Sequence, residues 1–176
     1  MIYSTSEDSY LLAETIKKYA KGSSVLDIGS GSGIIAETAI KAGCSSLLAS
    51  DINEKSIRLL KSKKIKAVKS DLFSKIKGKF DIIAFNPPYL PEDKMEDKYS
   101  RQATTGGKKG DEIILKFLKE AKRHLNNKGI ILLVVSSLTY KDRIISLLYK
   151  LKMKKTIIAE KSLFFEKLEV WKIENI

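Results

Sequence analysis

Cysteine and histidine are almost absent from this chain, and their scarcity excludes two kinds of site. The only cysteine is Cys44 and the only histidine is His124. One cysteine excludes an internal disulfide and is typical of a reducing compartment. One cysteine and one histidine cannot supply the four ligands of a structural zinc site, so we expect no bound metal.

Long apolar runs are absent as well. No run approaches the roughly 18 apolar residues that a membrane-spanning helix needs. The start of the chain, MIYSTSEDSYLL, is polar and acidic and does not resemble a secretory signal. We therefore expect a cytoplasmic protein without membrane contact. A length of 176 residues, 43% of them hydrophobic, suffices for one domain with a core of its own.

Arginine is scarce although the chain is strongly basic. The 33 basic residues give a net charge of +12, yet the arginines are only Arg58, Arg101, Arg123 and Arg143. Such a charge can indicate nucleic-acid binding, but guanine readout and planar phosphate recognition favour arginine over lysine. We interpret the charge as a solvated, lysine-rich surface, with an acidic or RNA-bound partner as the alternative.

Apolar periodicity predicts an N-terminal helix followed by strands that alternate with helices. The helices are predicted at about 6–20, 32–42, 54–62, 110–125 and 140–150, and the strands at about 24–28, 46–50, 66–69, 80–85, 130–135, 153–160 and 164–173. This order indicates an α/β fold, a mostly parallel sheet with helices on both faces. The last two strands, joined by a turn at Lys161-Ser162, should form an antiparallel hairpin at one edge. Residues 86–109 should form a lid or binding loop.

A glycine-rich turn follows the first predicted strand, in Asp27-Ile28-Gly29-Ser30-Gly31-Ser32-Gly33. A strand, a glycine turn and a helix in this order bring the backbone close to a ligand. Three acids stand at predicted strand ends. Asp51 could accept hydrogen bonds from ribose hydroxyls, or cap the helix near Asn53, and Asp71 could accept from an adenine amino group, with Leu72 beside the ring. Asp27 would repel a pyrophosphate but attract a cation, which favours S-adenosylmethionine over NAD.

The stretch Asn86-Pro87-Pro88-Tyr89 follows the predicted strand 80–85, at a kind of strand end where α/β sheets bind ligands. An amide or nucleobase NH2 is a poor nucleophile because its lone pair is delocalised. The side-chain carbonyl of Asn86 and the main-chain carbonyl of Pro87 could accept its hydrogens, and this stabilisation would grow during methyl transfer. Tyr89 offers a flat face for stacking. In a plainer interpretation the prolines only end the strand.

These stretches resemble those of class I S-adenosylmethionine-dependent methyltransferases. The glycine turn is similar to their first motif, and Asn86-Pro87-Pro88-Tyr89 resembles the signature of their amino-methylating members. The resemblance implies a Rossmann-like seven-strand sheet in a single methyltransferase domain, 1–176, with an N-terminal helical segment (1–22) and a seven-strand core (23–176). The implied cofactor residues are Ser9, Asp27, Gly29, Gly31, Asp51, Ile52, Asp71, Leu72 and Asn86. The implied catalytic residues are Asn86, Pro87 and Tyr89, and Pro88 joins them in binding substrate.

Two further stretches are similar to the small HemK-related glutamine methyltransferases of archaea and eukaryotes. The segment 2–12 resembles their start, although Ser4-Thr5-Ser6 stands where a proline is usual. The segment 105–112 resembles their Gly-Gly-x-x-Gly stretch, although a usual tryptophan is absent. The resemblance implies N5-methylation of the glutamine in the Gly-Gly-Gln loop of a translation release factor. It also implies a small zinc-binding activator subunit as a heterodimer partner.

Other functions stay open from the sequence. The NH2 group could belong to a base of RNA or DNA, although flipping a base from duplex DNA normally needs more protein than this core offers. Lysine in proteins is another possible target, and a nucleotide-binding regulatory protein without activity is a third class. The predicted strand 65–69 should lie at a sheet edge, where its lysines would suit an acidic partner strand and repel a second copy.

Overall fold

A seven-stranded sheet organises the chain. The computed structural model describes residues 7–88 and 106–176, and its strands lie in the order β3-β2-β1-β4-β5-β7-β6. The strands are β1 (Ser24–Ile28), β2 (Ser46–Asp51), β3 (Ala67–Lys69), β4 (Phe80–Phe85), β5 (Leu125–Ser136), β6 (Met153–Ser162) and β7 (Lys167–Asn175). The first five are parallel, and β7 is antiparallel to both β5 and β6. The predicted mostly parallel sheet with a C-terminal antiparallel hairpin is confirmed.

Helices cover both faces of the sheet. They are α1 (Glu7–Ile16), α2 (Ile34–Lys41), α3 (Glu54–Ser62), α4 (Glu112–Ala121) and α5 (Lys141–Lys150), with a 3-10 turn at Lys122–His124. Successive side chains of a strand point to opposite faces, so Val25 and Ile82 pack with α1 and α2, whereas Leu26 and Ile83 pack with α4 and α5. In the described parts of the chain no helix is long and apolar enough to cross a membrane.

An aromatic cluster supports the carboxyl end of β4. Phe85, the last residue of β4, contacts Phe117 of α4 with ring centroids 4.6 Å apart, and Phe117 contacts Phe73 at 5.4 Å. All three side chains are buried, and burial of each contributes about 1.5–3 kcal/mol. The chain therefore leaves β4 towards Asn86 from a tightly packed position.

Some predicted boundaries are wrong. The first helix ends at Ile16 rather than near residue 20, and β5 begins at Leu125, five residues earlier than predicted. The turn of the hairpin is not at Lys161-Ser162, because these residues pair with Leu168 and Lys167 in the ladder. Polar residues on an exposed strand resemble a turn in sequence, which explains the error. Ser6, the first residue of the predicted N-terminal helix, and residues 89–105 of the predicted loop lie outside the described residues.

Gly33 lies where α2 packs closely on α3. Its φ is +89°, and a Cβ atom would lie 2.8 Å from Leu60 Cδ2; Gly22 has φ +72° but a Cβ there would meet nothing within 4 Å. Alanine at either position carries backbone strain of about 1–2 kcal/mol, and at Gly33 it also clashes. Gly33→Ala should therefore lower the free energy of unfolding by about 1 kcal/mol or more beyond Gly22→Ala. Urea unfolding measures both, and equal losses would contradict the close packing.

Candidate active site

The predicted site residues meet where the order of the strands reverses. From β1 the chain continues to β2 and β3 on one side, while β4 and β5 lie on the other. Ile28 is in register with both Ser50 and Phe85, so Gly29, Asp51 and Asn86 leave the sheet side by side at its carboxyl edge. Open α/β sheets bind ligands in the crevice at this switch point.

Asp51 holds the glycine turn against the end of β2. Gly29, Gly31 and Gly33 have φ angles of 66°, 52° and 89°, which favour glycine. The Gly31 N–H donates to Asp51 Oδ2 at 2.8 Å. This bond fixes the position of the turn relative to the carboxylate.

Asp51 keeps acceptor capacity for a ligand. Its Oδ1 accepts from the Asn53 N–H at 2.7 Å, while the Asn53 side chain caps α3 by accepting from the Lys55 N–H at 2.9 Å. The cap of α3 is thus Asn53 and not Asp51. Each carboxylate oxygen can accept more than one hydrogen bond, and the neighbouring Ile52 side chain is exposed. Asp51 and Ile52 therefore offer polar acceptors beside an apolar surface, as a ribose and its attached base require.

Asp27 is a buried acid without a partner. Its side chain is fully buried, and neither carboxylate oxygen accepts a hydrogen bond from the described residues. Burial raises the pKa of Asp27 to about 7; the nearby Ser30 hydroxyl and Ala36 N–H lower it in part, and the Asp51 carboxylate adds to the rise. A buried charge of this kind is costly unless an opposite charge or a donor satisfies it. The position suits a cationic group of a ligand held on the glycine turn.

Asp71 and Leu72 lie at the end of β3, as predicted, but Asp71 already has a partner. Its Oδ2 accepts from Lys116 Nζ at 2.9 Å, and both side chains are more than half exposed. An exposed pair contributes about 0–1 kcal/mol, so a ligand could displace the lysine. Leu72 has a left-handed φ of 46° and packs against the core cluster that contains Phe73.

Asn86 presents one half of its amide to Ser9 and leaves the other half free. Its Nδ2 donates to Ser9 Oγ at 3.1 Å. Its Oδ1 is buried and has no partner among the described residues. In this orientation the amide oxygen is an unused acceptor that faces away from Ser9 Oγ. Ser9, predicted to bind the cofactor, thus also contacts the predicted catalytic asparagine.

The two prolines are held by a second glycine turn. Pro87 is buried and Pro88 is half-buried. A Cβ atom on Gly106 would lie 2.6 Å from the Pro88 carbonyl oxygen and 2.3 Å from that of Gly110. Only glycine allows the chain before α4 to approach the Asn-Pro-Pro segment so closely. Tyr89 lies outside the described residues.

Two of three contacts at the site that were not predicted are not evident in the sequence. The bond between Ser9 and Asn86 joins residues 77 positions apart, and the bond between Lys116 and Asp71 joins residues 45 apart, so no local pattern reveals either. The approach of Gly106 to Pro88 does have a sequence signal, since the glycines at 106, 107 and 110 are closely spaced.

Comparison with known proteins agrees with this geometry. A family profile described as methyltransferase small domain matches residues 4–164. The chain belongs to this methyltransferase family. It is 38% identical to a protein of Methanocaldococcus jannaschii named as a candidate protein N5-glutamine methyltransferase, over 96% of this chain and 89% of that protein. It is 34% identical to the release factor glutamine methyltransferase of Borreliella burgdorferi, over 62% of this chain but 43% of that protein.

Solved structures show the same methyltransferase fold. The Mtq2–Trm112 complex of E. cuniculi, described as responsible for methylation of the eRF1 translation termination factor, aligns with a TM-score of 0.81 at 23% identity. The alignment covers 99% of this chain and 99% of that chain. Other methyltransferases of this fold contain S-adenosylmethionine or its product S-adenosylhomocysteine.

The residues at the carboxyl edge fit this cofactor. S-adenosylmethionine supplies a methyl group on a positively charged sulfur, together with an ammonium group, a ribose and an adenine. The buried carboxylate of Asp27, which accepts no hydrogen bond within the described part of the chain, would balance positive charge. Asp51 would accept from hydroxyls, and Ile52 would cover an apolar ring. A phosphate-bearing cofactor would instead place negative charge near two carboxylates, which fits the site poorly.

Cofactor binding should release a proton from Asp27 near neutral pH. A bound cation favours the ionised carboxylate, so affinity for S-adenosylmethionine should rise between pH 5.5 and 7, by up to about tenfold per unit below the pKa of about 7. Calorimetry at pH 6 in two buffers of different ionisation enthalpy measures the proton release. Asp27→Asn should abolish it and flatten the pH dependence.

Asp27 also makes the free energy of unfolding of the cofactor-free protein depend on pH, and the direction of this dependence follows from its raised pKa. The folded state binds the Asp27 proton more tightly than the unfolded state, because the folded pKa of about 7 exceeds the reference value of 3.8. This carboxyl therefore lowers the free energy of unfolding as pH rises from about 4 to about 7. For cofactor binding, proton uptake instead of release would contradict the assignment of Asp27. An affinity of the native protein for S-adenosylmethionine that does not change with pH would contradict it as well.

Proposed function

We propose that this chain transfers a methyl group from S-adenosylmethionine to the side-chain amide nitrogen of a glutamine in a translation release factor. The observation that carries the proposal is the buried Oδ1 of Asn86, which has no partner among residues 7–88 and 106–176, with Nδ2 engaged by Ser9 Oγ. The names of the similar proteins support the same substrate. Such an acceptor suits an NH2 group that must react without a strong base.

The chemistry requires acceptors rather than a base. A glutamine amide nitrogen shares its lone pair with the carbonyl, so it attacks weakly, and its N–H hydrogens become more positive as the new N–C bond forms. Asn86 Oδ1 would accept one of these hydrogens, and the main-chain carbonyl of Pro87 would accept the other. Both bonds strengthen towards the transition state, which is the condition for acceleration. The surplus proton then passes to water.

Rigidity around Asn86 supplies the positional part of catalysis. Asn86 follows the tightly packed Phe85, its amide is bonded to α1 through Ser9, and the next residue, Pro87, is buried. An acceptor fixed before the substrate arrives needs no reorganisation during reaction. We also assign Pro88 and Tyr89 to substrate binding, and residues 1–176 to a single methyltransferase domain, because α1 packs against α2 and the sheet.

The rival substrates share the same NH2 chemistry, so they must be separated by experiment. The native protein, with labelled S-adenosylmethionine, should transfer label to the host's release factor and not to total tRNA or rRNA. Label on RNA but not on the release factor would replace this proposal with nucleobase methylation. A release factor whose Gly-Gly-Gln glutamine is changed to alanine is the matched control, and undiminished labelling of that variant would indicate lysine or another side chain.

Loss of the Asn86 acceptor should slow the chemical step. Asn86→Ala should lower turnover by about 10²–10³ at saturating cofactor, like the loss of one preorganised polar group. Ser9→Ala leaves Asn86 in place but frees its amide to turn, so turnover should fall less, and Ser9→Thr should restore most of it. Single-turnover rates measure these differences. Unchanged turnover in a folded Asn86→Ala protein would remove Asn86 from the mechanism.

We further propose a small zinc-binding activator subunit as partner, seated on the free edge of β3. In the described sheet β3 is one of the two edge strands, the other being β6. Lys66 O accepts from the Ala49 N–H at 2.9 Å, and the Ser70 N–H donates to Asp51 O at 3.0 Å. Because alternate residues of a parallel strand face the same neighbour, Ala67 and Lys69 turn their backbone groups to the open edge. The edge could therefore accept an added strand from another chain.

Proline at position 67 should prevent this pairing. Ala67→Pro removes the outward N–H and places a ring at the edge, whereas Ala67→Val keeps the N–H and serves as the control. Val68 is unsuitable, because it faces β2. Ala67→Pro should abolish co-purification with the host's activator while S-adenosylmethionine affinity is unchanged. A complex that forms equally well with Ala67→Pro would place the activator elsewhere.

A further inference from the structure

Two phenylalanines stand exposed at the tip of the β6–β7 hairpin. Phe164 is 91% exposed and Phe165 is 86% exposed, and their rings contact each other edge to face at a centroid distance of 4.4 Å. Single exposed apolar residues are common on protein surfaces, but adjacent large ones that contribute nothing to the core usually mark a binding surface.

The tip is anchored to the rest of the domain. Within it, the Leu163 N–H donates to Glu166 O at 2.7 Å, and Glu166 Oε1 accepts from the hydroxyl of Ser136 at the end of β5. The Ser137 N–H donates to Lys167 O at 2.8 Å, and the Lys167 N–H donates to Ser137 Oγ at 2.9 Å. These bonds hold the phenylalanines in a fixed position, which lowers the entropic cost of binding.

The anchoring places the tip on the active-site edge of the sheet. β7 runs antiparallel to β5, with Leu168 opposite Ser136, so the start of β7 lies at the carboxyl end of β5. That is the edge at which Asn86 follows β4. β4, β5 and β7 are adjacent, so the strand that carries the tip is about 10 Å from the strand that leads to Asn86.

The loop between β5 and α5 extends the apolar surface towards the site. Leu138 is 46% exposed and Tyr140 is 48% exposed. We define these two residues with Phe164 and Phe165 as the aromatic rim. The rim lies at the carboxyl end of β5 and the start of β7. β5 is the neighbour of β4, the strand that ends immediately before Asn86.

Neighbouring charges argue for a polypeptide rather than a nucleic acid on the rim. Lys161 pairs with Glu7, Lys167 pairs with Glu160 at 2.6 Å, and Lys141 pairs with Glu169 at 3.0 Å. A phosphate backbone needs basic residues that are free to neutralise it. Lys109 lies over the Tyr140 ring at 5.3 Å and adds a positive charge at that end of the rim, whereas the lysines beside Phe164 and Phe165 are balanced by glutamates, so the surface at the hairpin tip is apolar with little net charge.

We propose that the aromatic rim is the docking site for the protein substrate and contacts apolar residues that flank the methylated side chain. This proposal rests on the proposed function, because it requires that the target amide belongs to a protein. The rim contributes to substrate affinity and not to the chemical step, because the strand that carries Phe164 and Phe165 lies two strands, about 10 Å, from β4. Aromatic side chains in exposed, rigid positions are typical hot spots of such interfaces.

The test combines Phe164→Ala and Phe165→Ala in one full-length protein. Tyr149→Ala is the control, because Tyr149 is 82% exposed but lies near the end of α5, away from this edge. Titration with fluorescently labelled release factor measures binding, and steady-state methylation separates KM from kcat. The double variant should bind about ten- to a hundredfold more weakly, with raised KM and unchanged kcat, while Tyr149→Ala and S-adenosylmethionine affinity match the native protein.

The outcomes separate this proposal from the proposed function. Native-like release factor binding by the double variant, or an equal loss in Tyr149→Ala, would overturn the docking site. Loss of RNA binding with retained release factor binding would assign the rim to nucleic acid and also overturn it. If the native protein binds the release factor through the rim but does not methylate it, the docking site stands and the proposed function fails. Absence of native binding overturns both. If thermal unfolding shows a defect in the double variant, the single variants replace it.

Discussion

The carboxylate of Asp27 and the Oδ1 atom of Asn86 are buried at the carboxyl edge of the sheet, and neither has a hydrogen-bond partner within the described chain. An unpaired buried acceptor costs on the order of 1–3 kcal/mol, and an ionised one costs more. The pKa of Asp27, raised to about 7 by burial, is a direct expression of that cost. A ligand that brings a cation to one group and an N–H donor to the other removes both costs when it binds.

The fold keeps these groups in place. The seven-stranded sheet is packed on both faces, and the aromatic cluster of Phe85, Phe117 and Phe73 lies below the end of β4. Asp51 fixes the glycine turn through the Gly31 N–H, and Ser9 engages the nitrogen of Asn86. Strained or unsatisfied groups persist where the surrounding structure determines them strongly. Core packing thus stabilises an acceptor geometry that suits a planar amide.

Much of this arrangement could be predicted from the sequence. Strands such as β1 and β4 are short apolar runs that end in glycine or proline, so their bounds follow from periodicity and turn chemistry. The parallel order then brings Asp27, Asp51 and Asn86 to one edge. The hairpin turn was predicted wrongly because Lys161 and Ser162 are polar although they pair in the ladder, while the apolar Phe164 and Phe165 occupy the tip.

Contacts between distant residues could not be predicted in the same way. The bond from Asn86 to Ser9 depends on how α1 packs beside β4, and the ion pair of Asp71 with Lys116 depends on the rotation of α4. No local sequence pattern predicts either contact, because each depends on the relative positions of two elements that are far apart in the sequence. The same holds for the lysines that glutamates neutralise around the aromatic rim.

The most direct test of the role of Asn86 is a crystal structure of the protein with S-adenosylhomocysteine and a glutamine-containing peptide from the release factor loop. The glutamine amide nitrogen should lie about 2.7–3.2 Å from Asn86 Oδ1, with Asn86 Nδ2 still donating to Ser9 Oγ. An Asn86 amide whose nitrogen faces the peptide, or a glutamine bound away from Asn86 in an otherwise ordered complex, would contradict the account.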